Sequence, residues 1–599
     1  RASSSHPRSM YSTLRESFKL HRPVVVLMGI VLALTTIPFI EVFFVLGNPW
    51  QVILPSFSDD LYSARVHTIG EGHLTAGNPY FLEHSDGPPL VIFAGAWINA
   101  IPLLFGVPFT TTMVINFIIW SLLFAVTAYW LLRELRVSSW VAVLGTLFLY
   151  VQSYGHILRP VNLQTVYPFY FLFFIALLCL IREQSRKNII FLALITGATF
   201  YFYSYLWQTA VITLGILFLY ALARRNWSLL KATLLSSLLG GIIGLPVPLY
   251  ALWLSHASPY FWESVGRLGL VNTHLPMAEV IYSGGWIGVV CAFLAILYWR
   301  ARTLRENKEF ILLGSFLAIS GFGLWVMEGS NLITGKLLET GEHMPGLIFP
   351  WLIVAVVSLG TFLWRQCAQL SNGLRMLAIG TFLLISIASI QYVFLAQFLP
   401  PYVNRTVWQA NQQYAKPLAW LQDTEKSPVA VWSNPTTYVT TLLPTYTRHF
   451  SLHTYWGRLE LLSDNEVRER YLITQYFNNL TISDLKNNIE DYLGRQDTAH
   501  NAKTIERGIK ICRILFFWDK SKDCGTPPTP QQLLGEKFFT DLEKKFRTDI
   551  KPNIKAYLKK YHVSYMLNDK TLDSPFYPEK LGAVLVYTDD RFELYKLPN

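Results

Sequence analysis

Two adjacent carboxylates, Asp59 and Asp60, open the segment Ser58-Asp59-Asp60-Leu61-Tyr62-Ser63-Ala64-Arg65-Val66-His67. Neighbouring acids can divide labour. One takes the proton of an acceptor hydroxyl while the other orients that acceptor or holds a divalent cation. The same pair serves equally well as a hydrated loop start, with Asp59 as the N-cap of the helix-like run that follows. On that helix Asp60, Ala64 and His67 share a face, so His67 is a candidate partner as well as a candidate surface residue. Which use applies depends on where the chain places the pair.

The chain has 599 residues, 52% apolar and 15% charged. A bilayer span takes about 20 largely apolar residues, and such runs occur only before residue 400. The expected division is a basic N-terminus at 1–23, a membrane domain at 24–400 with a first outer loop at 47–110, and a soluble tail at 401–599. Runs at 24–46, 111–132, 140–151, 166–181, 189–202, 206–223, 234–254, 280–299, 310–327, 347–364 and 374–398 make eleven expected spans. The first is read as a retained anchor rather than a cleaved signal. Residues 90–105 are apolar but short and bounded by prolines, which suits a helix lying at the outer interface.

Charge sets the orientation. Of 23 Lys and Arg residues before position 401, 19 fall at the ends assigned to the cytoplasm, which puts the N-terminus inside and the tail outside. The exceptions are Arg65, Arg159, Arg267 and Lys336, each in a different outer loop. Pairing with Glu263, Glu339 or Glu342 would account for such residues. So would gripping the phosphate of a lipid-linked substrate, for which a guanidinium fork is suited. Glu41, behind Pro38 in the first span, is an intramembrane acid and hence a site candidate. His343, beside Glu342 in the loop 328–346, belongs to either a gate or a structural loop. The aromatic run Tyr201, Phe202, Tyr203, Tyr205 and Trp207 is an interfacial belt or the lining of a lipid or sugar path.

The tail is expected to be a small α/β domain, with strands at 429–432, 563–567, 582–587 and 592–597 and helices at 464–477, 482–493, 531–546 and 554–561. Its 27 basic against 23 acidic residues do not suggest nucleic acid. Cys512 and Cys524 are either a disulfide, if the tail is extracytoplasmic, or two free thiols. No phosphate-binding glycine loop, zinc spacing or hydrolase elbow occurs.

One span, a long outer loop with an early acidic pair, the Gly77-Asn78-Pro79-Tyr80 segment, Gly87-Pro88-Pro89-Leu90 leading into a short apolar helix, a polytopic body and a C-terminal α/β domain together resemble the GT-C superfamily of integral-membrane glycosyltransferases. Its relatives include protein O-mannosyltransferases and aminoarabinose transferase-like proteins. The resemblance implies sugar transfer from a polyprenyl-phosphate-linked donor to a lipid, glycan or protein acceptor on the outer membrane face. It implies that Asp59 or Asp60 acts on the acceptor or binds a divalent cation such as Mg or Mn. By loop position it implies that Arg159, Arg267 and Lys336 hold the donor phosphate. The acids are adjacent rather than spaced as Asp-x-Asp, and no Trp-Trp-Asp motif is present, which separates the chain from the oligosaccharyltransferase branch. Two other classes fit the same architecture: a lipid-linked sugar transporter, which would favour internal repeats and broken helices, and a non-catalytic GT-C-like scaffold binding a partner through its tail.

Overall fold

The computed structural model describes residues 21–37, 40, 60–366 and 412–598, apart from 301, 339, 435–437, 494, 520 and 573. The expected span at 374–398 lies outside these residues.

The helices are α1 (His21–Ile37), α2 (Asp60–Gly70), α3 (Ala94–Leu104), α4 (Phe109–Glu134), α5 (Ser139–Gln152), α6 (Tyr154–Ile157), α7 (Val166–Arg182), α8 (Arg186–Phe202), α9 (Ser204–Ala223), α10 (Trp227–Gly244), α11 (Pro246–Ala257), α12 (Phe261–Arg267), α13 (Ala278–Arg300), α14 (Arg302–Arg305), α15 (Lys308–Glu328), α16 (Asn331–Thr334), α17 (Thr340–His343) and α18 (Pro345–Gln366). Six of them, α4, α9, α10, α13, α15 and α18, are long and apolar enough to cross a bilayer, and α1, α3, α5 and α7 are shorter apolar helices. Leu238 and Ile242 of α10 and Val289 of α13 are exposed, as residues facing lipid must be. Neighbours α8 and α10 come together through glycines. A Cβ on Gly197 would lie 2.5 Å from Ile243, and one on Gly244 2.3 Å from Phe200, the small-residue packing that lets membrane helices approach.

The expected span at 234–254 is divided. It starts earlier, at Trp227, and stops at Gly244. Pro246 and Pro248 follow and open α11, because proline has no N–H to continue the preceding helix.

The basic connections meet on one face. Arg182 pairs with Glu134 at 2.6 Å, and Glu309 receives Arg136 at 3.3 Å and Arg365 at 2.5 Å. These exposed pairs add little stability, but they place the ends of α4, α7, α15 and α18 side by side. The tail packs on the opposite face.

The tail is built on a five-stranded mixed sheet, ordered β4 (Phe450–Ser451), β3 (Ala430–Asn434), β5 (Val563–Asp569), β7 (Phe592–Lys596) and β6 (Val584–Thr588). β3 runs parallel to both neighbours, and β7 is antiparallel to both of its neighbours, β5 and β6. Alternation along β3 sends Ala430 and Trp432 into one apolar core with Leu472 and Phe539, and Val431 into another with Leu418 and Leu442. Both faces are therefore covered, as a strand paired in parallel on each side requires. The first core includes α21 (Asp464–Thr474). The second includes α19 (Ala415–Thr424) and α20 (Tyr438–Tyr446). α22 (Arg495–Leu515) follows, a 21-residue helix that the sequence patterning did not single out. A two-stranded ribbon, β1 (Leu270–Asn272) with β2 (Lys336–Leu338), lies in the loops of the membrane domain.

The Gly77-Asn78-Pro79-Tyr80 segment holds the tail. Asn78 Nδ2 donates to Gly457 O at 2.7 Å, and Ser451 N donates to Tyr80 O at 2.9 Å. Within the first loop a Cβ on Gly77 would sit 2.5 Å from His84 O, and at the joint one on Gly457 of the tail would sit 2.7 Å from the Phe81 ring. Arg470 completes the joint. Its buried guanidinium bonds Glu83 at 2.6 Å and Glu466 at 2.8 Å, and lies 4.1 Å from the ring centres of both Phe81 and Tyr561.

Removing Arg470 would strand Glu83 and leave Glu466 with His84 alone. Arg470→Ala should cost about 3–5 kcal/mol, read as a lower thermal midpoint and release of the tail to protease; an unchanged midpoint would contradict the joint. Burial pushes the Glu466 carboxyl up, but the His84 hydrogen bond and the Arg470 charge outweigh it and hold it down to about 2, against an ordinary 4.5. A carboxyl depressed on folding stabilises above its unfolded pKa and loses that contribution as pH falls toward the folded one. The midpoint should therefore drop between about pH 4.5 and 2, and less steeply in Glu466→Gln.

Candidate functional site

Helix α2 is the segment that carries the acids. Asp60 begins it, which fits an acid at a helix N-terminus. The side chain of Asp60, and Asp59 and Glu41 altogether, lie outside the described residues. Residues 62–69 of α2 are buried between α3 and α20.

Two of its candidates turn to the tail. Arg65 pairs with Glu460 and lies 5.3 Å from the Phe93 ring centre. Burial raises the Glu460 carboxyl while Arg65 opposes that rise. His67 Nδ1 is 3.1 Å from Pro444 O, and its ring meets Phe109 edge-on at 5.1 Å. Burial lowers the His67 pKa and Glu71, one turn on, opposes this, so near neutral pH the imidazole is a neutral donor to the Pro444 carbonyl.

Arg267, expected at a donor phosphate, is saturated by the protein. Its Nε donates to Arg458 O at 2.7 Å, its Nη2 to Leu462 O at 2.6 Å and Ser264 Oγ at 2.9 Å, and its Nη1 pairs with Asp464. Only 1% of the side chain is exposed. The structure thus places Arg267 in the joint between α12 and the tail, where no guanidinium edge faces a cavity. Lys336 is exposed on β2, its ammonium 5.0 Å from the Trp262 ring centre.

Arg159 has different surroundings. It is half-buried in the loop between α6 and α7, and its charge acts on both His156 and Tyr203. Burial, and then the Arg159 and His343 charges, take His156 down to about 4. Tyr203 lies in the extended turn between α8 and α9. Its hydroxyl is 2.8 Å from His343 Nδ1, while Tyr205 stacks on the His343 ring at 4.8 Å. Burial, then Tyr205 and Tyr62, raise the Tyr203 phenol well above its ordinary value, with Arg159 opposing. Tyr203 thus stays protonated. Tyr62 belongs to the first turn of α2 and meets Phe93 edge-on at 5.4 Å.

These contacts gather Arg159, His156, Tyr203, Tyr205 and His343 beside the start of the acid-bearing helix, on the tail side of the membrane domain. The aromatic run is therefore not uniformly a belt: Tyr203 and Tyr205 face inward and are buried. Tyr167 and Tyr170 of α7 support the cluster from below, donating to Gly346 O at 3.0 Å and Leu347 O at 2.6 Å and so fixing the start of α18. The arrangement offers a cation, hydrogen-bonding rings and a nearby helix N-terminus, a set able to hold a phosphate and a polyol. Among the described residues no group of three His, Cys, Asp or Glu side chains is placed to hold a metal ion.

Sequence reasoning missed the acceptors that engage Arg65 and Arg267. Glu460 and Asp464 stand 395 and 197 residues away from their partners, and no local pattern signals such pairs.

Tyr203→Phe removes the hydroxyl from His343 but keeps the ring stack, and should cost about 1 kcal/mol. His343→Ala removes both and should lower the thermal midpoint further. Equal losses would show that the stack contributes nothing.

No protein-family model matches the chain, and no curated protein matches it. Among solved structures the chain is similar to ArnT from Cupriavidus metallidurans, determined bound to undecaprenyl phosphate. The two are 12% identical, the match covers 97% of this chain and 98% of that one, and the TM-score is 0.43. A likeness of that degree carries no argument about chemistry.

Proposed function

We propose that the chain is an integral-membrane glycosyltransferase that takes a sugar from a polyprenyl-phosphate carrier and passes it to an acceptor on the tail side of the membrane. The observation that carries this reading is the Arg159 cluster: a guanidinium set among buried tyrosines and histidines, beside the first turn of the helix that Asp60 opens. The basic connections on the opposite face support a cytoplasmic N-terminus and an extracytoplasmic tail.

In this reading the acceptor oxygen attacks the anomeric carbon directly as the bond to the lipid phosphate breaks. Asp59 or Asp60 takes the acceptor proton. If the reaction uses a divalent cation, Mg or Mn, the same two carboxylates would hold it. Arg159 binds the departing phosphate, whose negative charge grows in the transition state, where a preorganised cation contributes most. Tyr203 and His343, hydrogen-bonded to each other, position the sugar. Arg65, Arg267 and His67 hold the tail in place over α2, and Lys336 stands at the rim.

The test is transfer of labelled sugar from a panel of polyprenyl-phosphate donors by the purified protein in nanodiscs. Asp59→Asn and Asp60→Asn should both fold, and at least one should abolish transfer. Arg159→Ala should raise the donor KM roughly 10- to 100-fold, the loss of a hydrogen bond to a charged group worth about 1.5–3 kcal/mol. Full transfer by both Asn variants would contradict the assignment, as would an unchanged donor KM in Arg159→Ala.

A further inference from the structure

The end of α22 presents an unusual surface. Residues 514–518 are Ile514, Leu515, Phe516, Phe517 and Trp518, and all five are exposed, Phe517 at 76% and Ile514 at 70%. Five consecutive large apolar side chains in water are a liability unless something covers them. They sit at the tip of a loop closed by the Cys512–Cys524 disulfide, and Arg513 Nη2 donates to Gly525 O at 3.1 Å across its base. The tip is thus held out rather than left to collapse onto the tail.

Its position and charge say what covers it. α22 lies against β1 and α12. A Cβ on Gly508 would touch Leu275, three residues before α13 begins. Six residues further along a helix that rises about 1.5 Å per residue, the apolar run begins roughly 9 Å along α22 from that contact. The ends of α12 and α13 are aromatic: Tyr260, which precedes α12, Trp262 of α12 and Tyr282 and Trp286 of α13 are exposed. Lys510, Arg513 and Lys522 flank the tip, with Lys522 5.3 Å from the Phe516 ring centre. Apolar and aromatic residues bordered by three basic residues and by Asp519 and Asp523 match the boundary between acyl chains and lipid headgroups.

We propose that residues 514–518 form a disulfide-stapled anchor that enters the leaflet on the tail side of the membrane, so that the tail is held to the bilayer as well as to the first loop. The anchor gives the tail a lipid contact independent of the Arg470 joint, and it fixes α22 over the loops that precede α13.

The proposal is tested with benzoylphenylalanine in place of Phe517 in the full chain, reconstituted in nanodiscs of phosphatidylethanolamine and phosphatidylglycerol and irradiated. Mass spectrometry of the tip peptide should find acyl-chain adducts as the main product, and their yield should fall several-fold when Cys512 and Cys524 are both replaced by Ser. Adducts to a second protein chain would overturn the proposal by making the tip a protein interface. Absence of any adduct, with the probe intact in water, would overturn it as well.

Discussion

Three of the four guanidinium groups buried among the described residues, Arg458 being the fourth, tie the parts of this chain together. Arg65 lies in the first loop, Arg267 on α12 and Arg470 in the tail. An arginine stays charged at any physiological pH and cannot be withdrawn from water without nearly complete compensation. Each finds its acceptors in another part of the chain: Arg65 in Glu460, Arg267 in Asp464 and the carbonyls around it, Arg470 in Glu83 as well as its own neighbour Glu466. The first loop, the outer helix and the tail therefore interlock, because no one of them can move away without leaving a bare charge behind. The start of α2, and with it Asp60, takes its place from this arrangement.

The same constraint explains what the sequence made legible. Apolar runs fixed most helices of the membrane domain, since length and hydropathy are local properties: α4, α9, α13, α15 and α18 form close to the expected boundaries. The tail strands at 430–434, 563–569, 584–588 and 592–596 were likewise readable from alternation and turn residues. The split after Gly244 was less so, because the hydropathy stays high through Pro246 and Pro248 and only the missing proline N–H ends the helix. α22 escaped notice because it is polar along most of its length.

The candidate site was legible in part. Arg159, His343 and the Tyr203 run stood out as residues in loops that charge bias and hydropathy alone would not have placed there, and they do gather. Arg267 and Arg65 stood out for the same reason, yet their reason is structural: partners about 200 and 400 residues away hold them in the joint. A basic residue on the unexpected side of a membrane signals a nearby anion. The sequence does not say whether that anion is a carboxylate of the protein or a phosphate of a substrate. Here Arg267 is closed off by protein acceptors, whereas Arg159 is half-buried and its charge acts on His156 and Tyr203.

In the proposed reaction the cluster around Arg159, and not the Arg267 joint, receives the phosphate of a lipid carrier. A cryo-electron microscopy structure of the protein in nanodiscs with polyprenyl phosphate tests it directly. The account predicts a phosphate within hydrogen-bonding distance of Arg159, next to Tyr203 and the first turn of α2, with the Arg267–Asp464 pair intact. A phosphate bound at Arg267, at Lys336 alone, or anywhere away from the Arg159 cluster would contradict it.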